Sequence, residues 1–198
     1  AIIGWIENLK LISEDSPDQM EIVSELRNDV KRLELIENRF SKIGSEPILE
    51  QKDIVKETLD SIEYLKSRTS KQVVFTISVP YVPVYVDLNS ALHSWTIENL
   101  VKNAIDAMKG KGNLDISIED NLTVVKLKIK DSGKGIPKNQ FSKVFEPGFT
   151  TKRRGWGLGL SLTKRIVQEY HKGRIKVSQS EVGKGTTMQL SFKKSSSV

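Results

Sequence analysis

The sequence predicts an α+β protein: a helical hairpin followed by a two-layer α/β sandwich, with three helices on one face of a mixed sheet. Three observations predict it. Apolar residues early in the chain recur every three or four positions. From Val73 onward, β-branched segments alternate with helical ones. Glycine clusters at 133–135, 155–159 and 183–185 fall where one such segment gives way to the next.

Residues 1–12 read as the end of a helix, with Ile2, Ile6 and Leu9 on one face. Ser13 to Gln19 is a polar turn containing Pro17. Ile22, Leu26, Val30, Leu33, Ile36, Phe40 and Ile43 then draw one apolar stripe along a long helix. Gly44, Ser45 and Pro47 end it. A hairpin with one apolar stripe per helix cannot bury both stripes alone, so two chains forming a four-helix bundle, a homodimer, are expected. A helix linking the two domains is expected around Leu49 to Arg68, its regular part over Asp53 to Arg68 turning Val55, Leu59, Ile62 and Leu65 inward. Strands follow at Val73–Val79 and Val84–Val86, and a helix at Leu88–Met108. Leu114–Ile118 and Val124–Ile129 flank a turn at Asp120-Asn121. A helix over Leu158–Tyr170 and strands at Arg174–Ser178 and Thr187–Phe192 complete the set, with a frayed tail from Lys193. The count is four or five strands in the sandwich, and its boundary with the hairpin falls between residues 48 and 49.

Composition narrows the function classes. The net charge of +6 comes from scattered lysines rather than one basic stripe interleaved with aromatics, which argues against a nucleic-acid partner. Zero cysteines exclude disulfides and thiolate metal sites and favour a reducing compartment, the cytoplasm. No apolar run approaches the roughly 18 residues a membrane helix needs. The chain opens inside an apolar segment, Ala1-Ile2-Ile3-Gly4-Trp5-Ile6, without an initiator Met, so a longer parent is expected. Any membrane or sensor segment would lie upstream.

Chemistry concentrates in four boxes: E-N-L-V-K-N-A-I-D-A at 98–107, D-S-G-K-G-I-P at 131–137, F-E-P-G-F-T-T-K at 145–152 and G-W-G-L-G-L at 155–160, with G-K-G-T at 183–186 behind them. Together they are the parts of an ATP site. The P-loop pattern and the dinucleotide fingerprint are both absent. Asn99 and Asn103 lie one helical turn apart and share a face. Neutral oxygens suit Mg²⁺ when nucleotide phosphates bring the negative charge, so Asn103 is the candidate metal ligand, supported by Asn99. Lys102 beside them lies within reach of a phosphate. Asp131 ends an apolar strand, where a carboxylate accepts a hydrogen bond from an adenine amino group. Gly133 and Gly135 free the following turn to let the base approach the backbone. The glycine turn of Gly155, Trp156, Gly157, Leu158, Gly159 and Leu160 opens a helix whose free N–H groups suit phosphate oxygens. Phe141 to Arg154 reads as a lid. Thr150, Thr151, Lys152, Arg153 and Arg154 bring hydroxyls and cations to the terminal phosphate, with Lys152 the first choice among the cations.

The order and spacing of these boxes over residues 71–198 resemble the ATP-binding domain of sensor histidine kinases of two-component systems. That domain belongs to the wider superfamily of gyrase, Hsp90 and MutL-type proteins. The resemblance implies a metal-binding Asn at Asn103, an adenine-binding Asp at Asp131, and nucleotide contacts from Ile136, Phe145 and Thr186, the last through water near the adenine. F-T-T-K resembles the nitrogen-regulation type of kinase. Asp106 stands where many members carry a Lys. A gyrase- or chaperone-type ATPase would place a catalytic Glu where Asn99 stands. Glu98, its neighbour, points about 100° away around the helix and is the candidate base toward a His. Residues 1–45 resemble part of the family's dimerisation hairpin without its histidine box. Only His93 and His171 exist; both read as ordinary helix-end residues. The implied activity is transfer of the ATP γ-phosphoryl to a His on an upstream helix, then to an Asp of a response regulator. A nucleotide-gated switch or pseudokinase is the alternative.

Overall fold

The structure, a computed structural model, describes Val23, residues 47–152 and residues 156–195. The chain divides into two compact units, Ala1–Pro47 and Ile48–Val198. The expected hairpin, and with it the expected dimer, falls outside the described residues, of which only Val23, helical and buried, lies in that stretch.

Period-two patterning builds the sheet of the second unit. Strand β4 (Gly112–Asp120) buries Leu114, Ile116 and Ile118 and turns Asp115, Ser117 and Glu119 outward. β5 (Val124–Asp131) buries Val125, Leu127 and Ile129 and turns Lys126, Lys128 and Lys130 outward. β2 (Val73–Ser78), β6 (Arg174–Glu181) and β7 (Gly185–Lys193) complete a five-stranded sheet of order β2-β4-β5-β7-β6. Among the described residues only the β2–β4 pair is parallel. The open face carries cross-strand pairs of opposite charge, Asp115 against Lys130 and Glu119 against Lys126, and Glu119 also holds Lys128.

Three helices cover the other face: α1 (Ile54–Lys66), α2 (Ser90–Ala107) and α3 (Gly159–Arg165). Ile97, Leu100 and Val101 of α2 and Ile54 and Ile62 of α1 join Leu114, Leu127, Leu190 and Phe192 in one core. Each such side chain contributes about 1.5–3 kcal/mol through burial. The mixed α+β architecture is the expected one.

Three expectations are corrected. The chain is not frayed from Lys193: that residue ends β7, and the N–H groups of Lys194 and Ser195 donate to the Thr123 and Tyr85 carbonyls. The linking segment is not helical throughout: Glu50–Asp53 forms strand β1, antiparallel to β3 (Tyr85–Leu88) in a separate two-stranded sheet. No β-branched residue marks β1; the pairing is made by backbone. Asp53 ends it by accepting from the N–H groups of both Val55 and Val84, capping α1 and tying its start to the chain before β3. The last helix does not run evenly to Tyr170. It changes at Ile166 to a π turn over Ile166–Tyr170, and Lys172 at φ 52° turns the chain into β6.

Candidate functional site

Asn89 starts α2, its Oδ1 accepting from the Leu92 N–H. Helical spacing then points His93, Thr96, Ile97, Leu100, Val101 and Ala104 inward. Asn99 and Asn103 fall half-buried on the flank of that face. Asn99 donates to Thr163 Oγ1 at 2.7 Å, and that hydroxyl donates to the Gly159 carbonyl at 3.0 Å. A Cβ on Gly159 would stand 2.5 Å from Asn99 Oδ1. The second glycine turn is therefore pressed onto α2, and a side chain at Gly159 would have to displace the Asn99 amide. Asn103 Oδ1 accepts from Lys152 Nζ at 2.8 Å, and the same ammonium lies 2.6 Å from Asp106 Oδ2. Lys102 bends back to Glu98 at 2.5 Å, with 62% of its side chain exposed.

Asp131 closes β5 and is only 6% exposed. Burial holds its carboxyl above the ordinary range, against the backbone N–H groups of Gly133 and Thr186, which favour the charged form. The Gly133 bond is 2.8 Å. The glycines after it serve protein packing rather than leaving open space. A Cβ on Gly133 would stand 2.6 Å from the Ala107 carbonyl carbon, and one on Gly135 2.1 Å from the Glu181 carbonyl oxygen. The turn is thereby clamped between the end of α2 and the β6–β7 turn, with Lys134 N–H donating to the Ala107 carbonyl and Gly183 N–H to that of Lys134.

Thr186 stands opposite Ser180 in the β6–β7 hairpin, their hydroxyls 2.9 Å apart. Ser180 donates to the Gly185 carbonyl and accepts from the Ile136 N–H. Its single proton is thus used, so Thr186 donates to Ser180 and keeps its lone pairs for an outside donor. Ile136 is half-buried beside this chain of bonds.

The expected lid is anchored over its first part. Short 3₁₀ turns at Lys138–Gln140 and Lys143–Phe145 lead into buried Val144 and Phe145, so Phe145 is a core residue. Beyond it, Gly148 N–H donates to the Gly157 carbonyl at 3.1 Å, with φ 84° and 66° at the two glycines. Inside this clasp, Thr150 Oγ1 accepts from the Lys152 N–H, and Thr151 Oγ1 accepts from Lys134 Nζ at 2.7 Å. Lys134 and Lys152 thus tie the loop to the first glycine turn and to α2. Arg153, Arg154 and Gly155 lie outside the described residues. Trp156 is 46% exposed, Leu158 and Leu160 are half-buried, and α3 starts with no side-chain cap. Among the described residues no side chain takes its first N–H groups, which are open to another acceptor.

The structure thus gathers Asn99, Asn103, Asp131, Gly133, Gly135, Ile136, Thr150, Thr151, Lys152, Gly157, Gly159 and Thr186 into linked contacts around the end of α2. Lys102 and Phe145 are turned elsewhere. Sequence reasoning missed Thr163 and Ser180. Thr163 was signalled only by its place one turn after Gly159, and Ser180 only by its register opposite Thr186. Among the described residues, no three His, Cys, Asp or Glu side chains cluster to hold a metal.

His93 and His171 are both buried. His93 Nε2 meets Thr58 Oγ1 at 2.9 Å, and His171 Nε2 accepts from the Asn89 N–H at 3.1 Å. Both rings stand edge-on to Phe192. Burial drives His93 down to about 3, helped by the charge of His171, and drives His171 down to about 4. Neither imidazole faces solvent.

The description "Histidine kinase-, DNA gyrase B-, and HSP90-like ATPase" matches residues 93–196. Sporulation kinase A of Bacillus subtilis (strain 168) is 30% identical over 202 residues, covering 98% of this chain and 32% of that protein. The sensor histidine kinase ZraS of Escherichia coli (strain K12) is 42% identical over 92 residues, 46% of this chain and 19% of ZraS. This chain therefore spans a third or less of these relatives. The solved catalytic domain of histidine kinase ThkA superposes with TM-score 0.67 at 26% identity, over 74% of this chain and 95% of that one. ThkA in complex with the response regulator protein TrrA gives 0.72 at 25% identity, over 98% of this chain and 57% of that one. Among the described residues no helix is long and apolar enough to cross a membrane. A glycine-clamped Asp131, an amide helix and a second glycine turn packed on it thus coincide with the matched span, and the chain belongs to the histidine kinase-, DNA gyrase B- and HSP90-like ATPase family.

Proposed function

We propose that this chain is the Mg-ATP-binding core of a protein-histidine kinase in a two-component system. Residues 49–198 are the catalytic domain, and residues 1–48 are part of a dimerisation hairpin. The observation that carries the reading is the meeting of Asn103, Lys152, Asn99 and the α3 start on one face of α2. The residues present fit a metal-nucleotide. Asn103 Oδ1 already holds a cation, the Lys152 ammonium. With no acidic cluster among the described residues, a divalent ion would need its negative ligands from phosphates.

When bound, the ion would neutralise charge on the phosphates. Asn103 would hold it, and Asn99 would keep the α3 start in place. The uncapped N–H groups of α3 would face phosphate oxygens. Asp131 would accept from the adenine amino group, with Thr186 beside it. Lys152, Thr150 and Thr151 would meet the terminal phosphate. Glu98 is the candidate base toward the acceptor imidazole. The γ-phosphoryl would pass to a histidine nitrogen, leaving ADP, and then to an aspartate of a response regulator, the partner suggested by the ThkA complex. Because His93 and His171 are buried, the acceptor is another histidine. The working place is the cytoplasm.

The test incubates the chain, preceded by a histidine-bearing helix, with Mg²⁺ and ATP labelled at the γ-phosphate. An acid-labile, base-stable label that disappears with Asn103→Ala is the expected result. Acid-stable label would mean a Ser/Thr kinase, and ATP binding without label a nucleotide switch.

A further inference from the structure

The Lys152 ammonium bridges two oxygens of α2, Asn103 Oδ1 and Asp106 Oδ2, three positions apart on one helical face. This bond pair joins the loop after Gly148 to the amide helix. Asn103 Oδ1 is also the oxygen assigned above to the metal. A divalent ion at ligand distance from this oxygen would repel an ammonium held on it, so metal binding weakens the hold on Lys152. Lys152 and the metal therefore compete at Asn103.

Asp106 decides which alternative holds in the nucleotide-free chain. It supplies the negative charge that draws Lys152 onto this face, whereas Glu98, the other acid on α2, is taken up by Lys102. We propose that Asp106 is a parking site for Lys152. It keeps the lysine on the metal-binding oxygen until a metal-nucleotide arrives, so that metal binding and release of Lys152 toward the terminal phosphate are one event. The proposal rests on the nucleotide reading above. The pair is exposed, 43% for Lys152 and 56% for Asp106. Such a pair shifts an equilibrium by no more than about fivefold, which is a weak hold that a bound nucleotide can displace.

The test reads the lysine directly. Brief acylation of amines in the whole chain, followed by mass spectrometry, gives the reactivity of Lys152 relative to exposed Lys164. Mg²⁺-ADP is the ligand, because it leaves the terminal phosphate position empty and so leaves a released amine open to reagent. Without ligand, Lys152 should acylate about two- to fivefold faster in Asp106→Asn than in the parent chain. Mg²⁺-ADP should raise the parent's rate to the variant's and leave the variant's unchanged. Equal rates without ligand, in a parent that binds Mg²⁺-ADP by calorimetry, would overturn the parking role and leave the nucleotide reading standing. A parent that does not bind Mg²⁺-ADP would overturn both. A fall of about tenfold in Mg²⁺-ADP affinity in the variant, with metal-free ADP unaffected, would make Asp106 a metal-site residue and overturn parking.

Discussion

Asp131 shows how one residue is specified by the turn that follows it and by the strand beside it. Its carboxylate is buried yet accepts from Gly133, and its backbone pairs with Thr186 across the β5–β7 ladder. Asp131→Asn keeps an acceptor for Gly133 and removes the charge, so the fold should persist. ATP affinity should fall by about tenfold or more, since the substituted amide turns a donor or a weaker acceptor toward adenine. Calorimetric titration with ATP checks this, and an unchanged affinity would remove Asp131 from the base pocket. The shared flank of Asn99 and Asn103 on α2 and the place of Asp131 at the end of β5 were legible from helical spacing and from the apolar alternation of the strand. Thr163 and Ser180 were not, since a Thr in a helix or a Ser in a strand carries no local signal. Their partners Asn99 and Ile136 are 64 and 44 residues away in the chain.

At the scale of elements, the N-terminus of α2 is held by the end of the helical segment that α3 begins. His171, following the π turn, accepts from Asn89, and His93 sits one turn into α2 against Thr58. Both imidazoles are neutral in the folded chain far below the value near 6.5 that they have when unfolded. As pH falls through 6.5, the unfolded chain takes up protons that the native chain refuses. Stability is therefore whole above roughly pH 6.5 and drains away toward pH 4, by up to about 1.4 kcal/mol per unit for each histidine. The urea midpoint should drop between about pH 7 and 5. His171→Asn, which keeps an acceptor for Asn89, should lessen the slope by about half. A midpoint independent of pH in this window would contradict the buried neutral pair. The existence of α1 and α2 was legible from spacing of apolar residues. Strand β1 was not, because Glu50-Gln51-Lys52-Asp53 offers no β-branched pattern and pairs through backbone alone. The π turn was not, because periodicity does not distinguish a local widening from a regular turn.

For the whole molecule, the α+β class was legible because β4, β5 and β7 alternate strictly while α1 and α2 keep the helical period. The sheet's order was not, because pairings such as β2 with β4 and β5 with β7 join distant parts of the chain. That order has a consequence for how the molecule opens. β4–β5 and β6–β7 are hairpins closed by short turns, whereas among the described residues β2 attaches by a parallel ladder on one side only, with Val74 and Ile77 exposed. Breathing of the native state should therefore begin at β2, whose amides should exchange with deuterium well before those of β5, which is paired on both sides. Nuclear magnetic resonance of the exchanging chain would resolve the two strands. Simultaneous exchange would mean that the five strands come apart as one cooperative unit, so that no opening short of complete unfolding frees the β4 edge.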